Sequence, residues 1–232
     1  MDKDICIMQK KRIPSVSIDS VVFGFEEDQL KVLLVKRNID KESNLWALPG
    51  GDICYHEDID HAAERILEER TGVKVYMKQF GTFGKVDRVP DERYITIAYY
   101  ALVKPDVYKL SLKKDDCDVK WVNVYDLPNL LYDHDTIILY ALDSLRRRIR
   151  SEPVGFNLLP HHFPLLALQR LYEVILDTRF DKPNFRSKIL KMKILIKLDE
   201  KQQGVAYRSA HLFKFDKQRY DALIEKGFNF EL

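Results

Sequence analysis

The sequence predicts an α+β protein in two parts, residues 1–152 and residues 153–232. In the first part, strand-like apolar runs surround a short helical stripe and lead into a long amphipathic helix. In the second part, two helical stripes precede a pair of strand-like runs. The change of pattern falls in "RSEPVGFNLLP", where Pro153 and Gly155 interrupt the periodicity and indicate a domain boundary.

The first part begins with a predicted β-hairpin, in which "VSIDSVVFGF" (16–25) and "LKVLLVKR" (30–37) are joined by the polar turn "EEDQ". A helix is predicted from about Asp58 to Arg70, and Gly72 suits the left-handed position that ends it. Its apolar stripe consists of Ile59, Ala62, Ala63, Ile66 and Leu67. Further strands are predicted within residues 73–83, 93–103 and 119–124, and a turn with a long helix within residues 127–150.

The second part has the layout of a winged helix. The segments "LLALQRLYEVIL" (165–176) and "KPNFRSKILKM" (182–192) predict two helices separated by a polar turn. Asp181 is a suitable N-cap for the second helix, Pro183 fits its first turn and Lys191 lies near its C-terminus. Residues 194–215 contain two strand-like pieces around a polar loop, so a helix–turn–helix precedes a hairpin.

The composition is typical of a globular cytoplasmic protein. Hydrophobic residues make up 46% and charged residues 32% of the chain, and no apolar run reaches the length of a membrane span. The N-terminal residues lack a continuous apolar stretch, so no signal peptide is expected. Cys6, Cys54 and Cys117 are widely spaced and form no C-x-x-C pair, which favours reduced thiols over a disulfide or a zinc site.

Basic residues are concentrated in the second part. Residues 179–217 contain 11 Lys and Arg against 4 Asp and Glu, although the formal net charge of the whole chain is only +2. Such a patch in an otherwise balanced protein favours an anionic partner, with nucleic acid as the first candidate. The alternative is a solvated lysine-rich face.

Residues 51–73, "GDICYHEDIDHAAERILEERTGV", carry the most specific motif of the chain. They resemble the Nudix box, whose pattern is G-x5-E-x7-R-E-U-x-E-E-x-G-U, where U is aliphatic. The residues that match the pattern are Gly51, Glu57, Arg65, Leu67, Glu69, Gly72 and Val73. The preceding "LWALPGG" (45–51) also matches the family, and the resemblance implies a Nudix α/β/α sandwich with a mixed sheet.

Ile66 and Arg70 replace two glutamates that the box requires. Phosphoanhydride hydrolysis requires divalent cations, Mg²⁺ prefers carboxylate oxygens, and Arg70 would instead repel a cation. We therefore predict that the metal site is absent or very weak, that no residue is catalytic, that no cofactor is used and that the protein is not an enzyme. Glu57, Arg65 and Glu69 are candidates for effector binding or for a structural role, with Arg65 and Glu69 placed for an i, i+4 ion pair.

The segment after the box indicates a binding pocket. "FGKVDRVPDERYITIAYYALV" (83–103) resembles the corresponding segment of ADP-ribose-type Nudix proteins and of Nudix-related regulators. This resemblance implies a pocket roofed by aromatic residues such as Tyr99 and Tyr100, where charged side chains suit sugar hydroxyls and phosphates. The effector candidates of the pocket are Arg37, Gly51, Asp87, Arg88 and Arg93. The alternative is a polar turn beside core aromatics.

The helix predicted over residues 182–192 divides its side chains as a recognition helix requires. Phe185, Ile189 and Met192 form an apolar face, whereas basic and amide side chains lie largely on other faces. The DNA-binding candidates are Lys182, Asn184, Arg186, Lys188 and Lys191 on this helix, with Arg208 and His211 beside the hairpin loop. Asn and Arg side chains can pair with bases and Lys side chains suit phosphates, but a solvated role is the alternative for each residue alone.

The segments "GFNLLP", "LQRLYEVIL" and "DKPNFRSKILKM" resemble the winged helix of NrtR-type regulators. The resemblance implies a homodimer that binds double-stranded operator DNA, is expected to be a repressor, and senses a small molecule with a degenerate Nudix domain. The implied effector is ADP-ribose-like or, in the sugar-responsive subgroup that we take as nearest, a pentose such as arabinose. One alternative is an active Nudix hydrolase, similar to ADP-ribose pyrophosphatases, with an accessory C-terminal domain. Another is an RNA- or protein-binding module.

Overall fold

The structure, a computed structural model, describes residues 15–37, 45–90, 92–112, 116–201 and 209–231. Its larger unit is a mixed β-sheet with one helix on each face. The strands are β1 (Ser15–Glu26), β2 (Gln29–Arg37), β3 (Trp46–Ala47), β4 (Gly50–Asp52), β5 (Lys78–Phe83), β6 (Tyr94–Val103) and β7 (Asp116–Asn123), and the helices are α1 (Ile59–Thr71) and α2 (His134–Ser151).

The sheet has the strand order β3-β2-β1-β6-β5, with β4 added to β1 and β7 added to β2. Strands β1 and β6 run parallel over ten residue pairs, whereas the other pairs are antiparallel. The β1–β2 hairpin turns at Glu27 and Asp28, whose φ angles of 52° and 56° suit a two-residue turn of type I′. The predicted hairpin and mixed sheet are therefore confirmed.

Helix α1 packs on one face of the sheet and follows the predicted stripe closely. Ala62, Ala63, Ile66 and Leu67 are buried against strand residues such as Ile18, Val22 and Leu33. Gly72 has a φ of 74°, and its N–H donates to the carbonyl of Glu68 at 2.9 Å, which ends the helix as predicted. The prediction was wrong for Ile59, which is 39% exposed because it lies in the first turn, at the end of the stripe.

Helix α2 packs on the opposite face through a stripe of apolar side chains. The stripe consists of Ile137, Ile138, Ala141, Leu142, Leu145 and Ile149. The same apolar cluster continues into the C-terminal unit, where it includes Leu168, Tyr172 and Ile189. A 3₁₀ turn (Pro153–Leu158) follows α2 at the predicted boundary. The two units therefore share one continuous core across the point where the sequence pattern changes.

The C-terminal unit contains β8 (Phe163–Pro164), α3 (Leu165–Leu176), α4 (Lys182–Lys191), β9 (Leu195–Lys201), β10 (His211–Phe215) and α5 (Lys217–Ile224). Its three strands form a sheet in the order β8-β10-β9. Asp181 caps α4 as predicted, since its carboxylate accepts the backbone N–H of Asn184 at 3.0 Å. Helix α5 was not predicted. It is only eight residues long, and none of its residues is fully buried, although Tyr220 and Leu223 pack partly against the core.

Residues 73–77 differ from the predicted strand. Val73 and Met77 are buried and Lys74 and Tyr76 are exposed, as in a strand, but the segment has no regular structure and β5 begins only at Lys78. Apolar alternation does not by itself provide a pairing partner. Among the helices in the described part of the chain, none has both the length and the apolar character of a membrane span. Cys54 is a free, exposed thiol, whereas Cys6 and the side chain of Cys117 lie outside the described residues.

Candidate effector site and DNA-binding surface

The candidate effector site lies on the sheet face that α2 covers, beyond the N-terminus of that helix. Because strand side chains alternate between faces, Ser17, Asp19 and Val21 of β1 share this face with Thr96 and Ala98 of β6. Val21 and Ala98 belong to the apolar core, whereas Ser17, Asp19 and Thr96 line an open cleft. The hydroxyl oxygens of Ser17 and Thr96 are 2.7 Å apart. The part of this sheet face that lies beyond the N-terminus of α2 is therefore a polar floor.

Arg88 organises this floor. Its side chain is 3% exposed, and Nε and Nη2 donate to the two carboxylate oxygens of Asp133 at 3.1 and 2.7 Å. Nη1 donates to the hydroxyl of Thr96, and Nη2 lies 3.7 Å from a carboxylate oxygen of Asp19. A bidentate Arg–carboxylate pair fixes geometry as well as charge. Arg88 thus ties the loop before β6 to the first turn of α2.

His134 and Gly50 close the floor on the side of the box. The backbone N–H of Leu48 donates to Nδ1 of His134 at 3.0 Å, so Nδ1 is the unprotonated ring nitrogen and Nε2 faces Asp19 at 3.6 Å. A Cβ on Gly50 would lie 2.2 Å from Oδ1 of Asp19 and 2.8 Å from the carbonyl oxygen of Ile18. The close approach of the loop to β1 therefore requires glycine at position 50.

Two adjoining clefts open on the floor and share Arg88 and Tyr132. The smaller cleft, of about 150 Å³, is lined mainly by polar groups, including those of Glu92 and Tyr94. The larger cleft, of about 680 Å³, has an aromatic and aliphatic wall that includes Phe83. The cationic side chains that line the two clefts are Lys85 and Arg88. The carboxylates that line them are those of Asp19, Asp52, Asp87, Glu92 and Asp133. The pair of clefts therefore offers many acceptors for the hydroxyl groups of a ligand.

The charged residues that match the box pattern form a separate ladder of ion pairs beside α1. Arg65 donates from Nε and Nη2 to both carboxylate oxygens of Glu57, at 2.8 and 2.5 Å, and from Nη1 to Glu69 at 3.2 Å. Glu57 also accepts the backbone N–H of Cys54 at 2.6 Å. The Arg65 guanidinium, followed by this N–H, lowers the pKa of Glu57 to about 2. The predicted Arg65–Glu69 ion pair is confirmed, and the ladder fastens the loop to the helix.

This ladder predicts an acid-dependent effect of Glu57→Gln. The pKa of Glu57 is lower in the folded protein than in the unfolded chain, so its contribution to stability is present above about pH 4.5 and is lost as the pH falls towards 2. We expect the melting temperature of the variant to be below that of the wild type at pH 7. The difference should shrink as both are measured at decreasing pH. A difference that stayed constant from pH 7 to pH 3 would contradict this assignment.

Ile66 and Arg70, which replace two glutamates of the box, make contacts that do not involve a metal ion. Ile66 is 2% exposed, and its side-chain carbons lie 3.6–3.7 Å from the place that a Cβ on Gly51 would occupy. Arg70 donates from Nη1 to the two carboxylate oxygens of Asp116 on β7, at 3.2 and 3.3 Å, and the Asp116 side chain is fully buried. Hydrocarbon and a paired guanidinium are unsuitable ligands for Mg²⁺. These residues therefore do not fit the metal ions of a Nudix hydrolase.

Helix α4 presents its charged side chains to solvent. Phe185 and Ile189 are buried against the rest of the C-terminal unit, and Met192 packs partly against the same core. The side chains that remain exposed are those of Lys182, Asn184, Arg186, Lys188 and Lys191. Buried apolar residues thus fix the helix while its basic face stays free, which is the division that a recognition helix requires.

The hairpin lies beside the start of this helix. A cavity of about 510 Å³ is lined by both elements, with Lys182 and Arg186 from α4 and Lys201 and His211 from β9 and β10. His211 is half-buried, and its Nδ1 has no hydrogen-bond partner among the residues that the structure describes. Arg208, the other predicted wing residue, lies outside the described residues. The structure therefore brings His211 close to the recognition helix.

Known families match both units of the chain. The NUDIX domain family matches residues 15–142, which is more than half of the sequence. The chain belongs to the Nudix family. The NrtR DNA-binding winged helix domain matches residues 155–215, so the Nudix domain is followed by a winged helix of the NrtR type. The predicted fold is confirmed, whereas the boundary between residues 152 and 153 stays a prediction.

Three relatives are informative. The ADPR responsive transcriptional repressor NtrR of Acinetobacter baylyi is 29% identical over 220 residues, which are 92% of this chain and 87% of the relative. Shewanella oneidensis NrtR, in a crystal structure with a 27mer DNA, is 29% identical, has a TM-score of 0.71 and covers 86% of this chain and 93% of its own. An ADP-ribose pyrophosphatase of Methanocaldococcus jannaschii is 33% identical over 129 residues, 54% of this chain and 71% of the enzyme.

The NUDIX domain of the Shewanella oneidensis protein is also known in a cocrystal structure with ADP ribose, with a TM-score of 0.53 and 29% identity over 62% of this chain and 99% of that domain. These comparisons confirm the resemblance to NrtR-type regulators. Membership of the sugar-responsive subgroup is not supported, because the Acinetobacter baylyi repressor is ADPR responsive and the Shewanella oneidensis domain was crystallised with ADP ribose.

Three of the predicted effector residues line the two clefts. Gly51 lines the smaller cleft, Asp87 the larger and Arg88 both. Arg93 is exposed and donates to the backbone carbonyls of Lys85 and Tyr94, both at 3.1 Å, and lines neither cleft. The side chain of Arg37 lies outside the described residues. Glu57, Arg65 and Glu69 line neither cleft and form the ladder beside α1.

The predicted aromatic roof was wrong, because adjacent strand residues face opposite sides of the sheet. Tyr99 packs towards α1 and donates its hydroxyl to Asp60 at 2.5 Å, whereas Tyr100 packs towards α2 and meets Arg148. The Nudix clefts are instead lined by residues that the sequence analysis missed, Asp19, Asp52, Glu92, Tyr94, Thr96, Tyr132, Asp133 and His134. The polar run "YDHD" (132–135) at the start of α2 is a local signal that could have indicated Tyr132, Asp133 and His134.

Proposed function

We propose that this protein is a transcriptional repressor of the NrtR type, which binds operator DNA through α4 and the hairpin and responds to an ADP-ribose-like effector in its Nudix domain. One observation carries the proposal. The Nudix domain has a polar two-part cleft beside a box in which Ile66 and Arg70 replace two glutamates, and it shares one continuous core with a winged helix whose helix α4 exposes a basic face. Its use on chromosomal operators requires a cytoplasmic location.

The shape of the site supports an effector with two parts. The smaller cleft has carboxylates and hydroxyls that suit ribose hydroxyl groups, and the larger one has an apolar wall with Phe83 and Tyr132 that suits a nucleobase. Lys85, at the larger cleft, provides a positive charge for phosphate. A free pentose would occupy only the smaller cleft. ADP-ribose, which contains two sugars joined by a diphosphate, uses both.

The relationship to an ADP-ribose pyrophosphatase makes hydrolysis the second candidate function. We propose that hydrolysis has been lost, because Ile66 is packed under the loop and Arg70 is paired with the buried Asp116. Incubation of the protein with ADP-ribose and Mg²⁺ is expected to release no AMP above a protein-free control. A repressor gains from this loss, since its signal persists while it is bound.

We further propose that the repressor acts as a homodimer, since two copies related by a two-fold axis match the two halves of a palindromic operator. Each recognition helix would then enter the major groove of one half-site. Light scattering with and without a palindromic duplex tests this stoichiometry.

The proposed function is tested by a thermal-shift screen and a gel shift on the same preparation. We expect ADP-ribose to raise the melting temperature, since a ligand at 100 times its dissociation constant adds about 2.7 kcal/mol of stability. Free ribose and arabinose, as matched controls, should raise it far less. The protein should bind a duplex from its own promoter, and ADP-ribose should release it. Stabilisation by the pentoses alone, or no duplex binding at low salt, would contradict the proposal.

A further inference from the structure

Helix α2 begins inside the effector site. Asp133 precedes its first residue and accepts the bidentate pair from Arg88. His134, its first residue, accepts the backbone N–H of Leu48 and lines the smaller cleft. Thr136, in the same turn, lines the larger cleft. The first turn of this helix and the residue before it therefore form part of the wall of both clefts.

The other half of α2 holds the first helix of the winged helix. Arg146 donates from Nε to the carbonyl oxygen of Ile175 at 2.8 Å. Tyr125, just after β7, donates its hydroxyl to the carbonyl oxygen of Val174 at 2.6 Å, and Nη2 of Arg146 donates to that hydroxyl at 3.3 Å. The last four carbonyls of a helix lack partners within it. Two side chains of the larger unit thus satisfy two such carbonyls at the C-terminus of α3.

The contact between α2, the segment after it and α3 is closely packed. A Cβ on Gly155 would lie 3.1 Å from Tyr172 and 3.4 Å from Leu171, both on α3, and 3.2 Å from Ile149 on α2. The segment after α2 therefore fits tightly between the two helices, and packed interiors transmit displacement rather than absorb it. Helix α3 in turn packs against α4 through Tyr172 and Phe185, whose ring centroids are 6.1 Å apart.

We propose that α2 carries the effector signal to the recognition helix, with Arg146 and Tyr125 as the positioning residues at its output end. The inference rests on the proposed function, because it needs an effector that changes operator binding. Eighteen helical residues form a rod about 27 Å long, which connects the cleft to the winged helix without a hinge. An effector that favours one position of the first turn of α2 then favours one orientation of α3 and α4.

The test compares three single variants of the full-length protein. Arg146→Gln removes the guanidinium that holds Ile175, and Tyr125→Phe removes only the hydroxyl that holds Val174. Arg147→Gln is the matched control, because Arg147 is exposed and pairs with Asp143 on the surface of the same helix. For each protein, calorimetry gives the dissociation constant for ADP-ribose. Fluorescence anisotropy gives the dissociation constant for the operator with and without saturating ADP-ribose.

The ratio of the two operator dissociation constants measures the coupling, which is typically about 5- to 150-fold in allosteric proteins. We expect Arg146→Gln and Tyr125→Phe to bind ADP-ribose with the wild-type affinity but to reduce this ratio to less than about threefold, whereas Arg147→Gln keeps it. The mild Tyr125→Phe change keeps the test valid if Arg146→Gln fails to fold.

Two results would overturn the inference. One is a wild-type ratio in both variants, and the other is a loss of ADP-ribose binding in both, which would place these residues in the binding machinery rather than in transmission. A wild-type protein that binds ADP-ribose and operator with a ratio of one would instead remove the proposed function itself. The two failures are therefore distinguishable from the same measurements.

Discussion

Arg70→Glu is expected to lower the free energy of unfolding by about 3–5 kcal/mol, although it restores a glutamate that the Nudix box prescribes. Arg70 donates to both carboxylate oxygens of Asp116, whose side chain is fully buried. The substitution leaves that carboxylate without its cation and places a second one beside it. Both effects leave uncompensated negative charge at a buried site, which is strongly destabilising.

Urea unfolding of wild type and variant at pH 7, followed by circular dichroism, measures this loss. A difference below about 1 kcal/mol at pH 7 would show that the Arg70–Asp116 pair is dispensable.

Two controls separate the buried pair from a general effect of charge. The double variant Arg70→Gln/Asp116→Asn replaces the ion pair by amides of similar shape and should recover most of the loss, because no unpaired charge remains. Arg147→Glu makes the same reversal of charge at a surface pair on α2 and should cost about 1 kcal/mol or less. The comparison tests whether the replacement of the box glutamate has become part of the fold.

Local features were predictable because they depend on residues a few positions apart. The stripe of α1, the left-handed Gly72 and the Asp181 cap each follow from spacings of one to four residues, and the structure shows all three. The recognition helix is similar, since its buried and exposed faces follow from helical periodicity alone. The box motif added the mixed sheet, which periodicity could not have specified.

The contacts that define the candidate site are long-range and carried no local signal. Arg70 and Asp116 are 46 residues apart, and Arg88 and Asp133 are 45 apart, so their pairing depends on the order and register of the sheet. The sequence made Arg88 an effector candidate but could not indicate that its guanidinium is buried between the carboxylates of Asp19 and Asp133. The error over the aromatic roof has the same origin, because a strand pattern gives alternation without stating which face meets which helix.

Substitutions on α4 are expected to have the largest effect on DNA binding. Arg186→Ala should weaken binding to the operator by about 1–3 kcal/mol and relax the base preference at one position, if its guanidinium reads a guanine. Lys182→Ala/Lys188→Ala should instead weaken binding to all duplexes and reduce the slope of log K against log salt by about two, since each phosphate contact contributes about 0.9. These three side chains are exposed, so the variants should unfold within about 0.5 kcal/mol of the wild type.

The two kinds of substitution distinguish a recognition helix from a basic surface. Anisotropy titrations of operator and scrambled duplexes, at three salt concentrations, give both the specificity ratio and the salt slope. Lys74→Ala is the matched control, because Lys74 is an exposed lysine of the Nudix domain that pairs with Glu68 and should leave both quantities unchanged. If Arg186→Ala lowered the affinity for both duplexes equally, α4 would contact only phosphates. If Lys182→Ala/Lys188→Ala left the salt slope unchanged, the exposed basic face of α4 would not be the surface that meets DNA, and the recognition element would have to lie elsewhere in the winged helix.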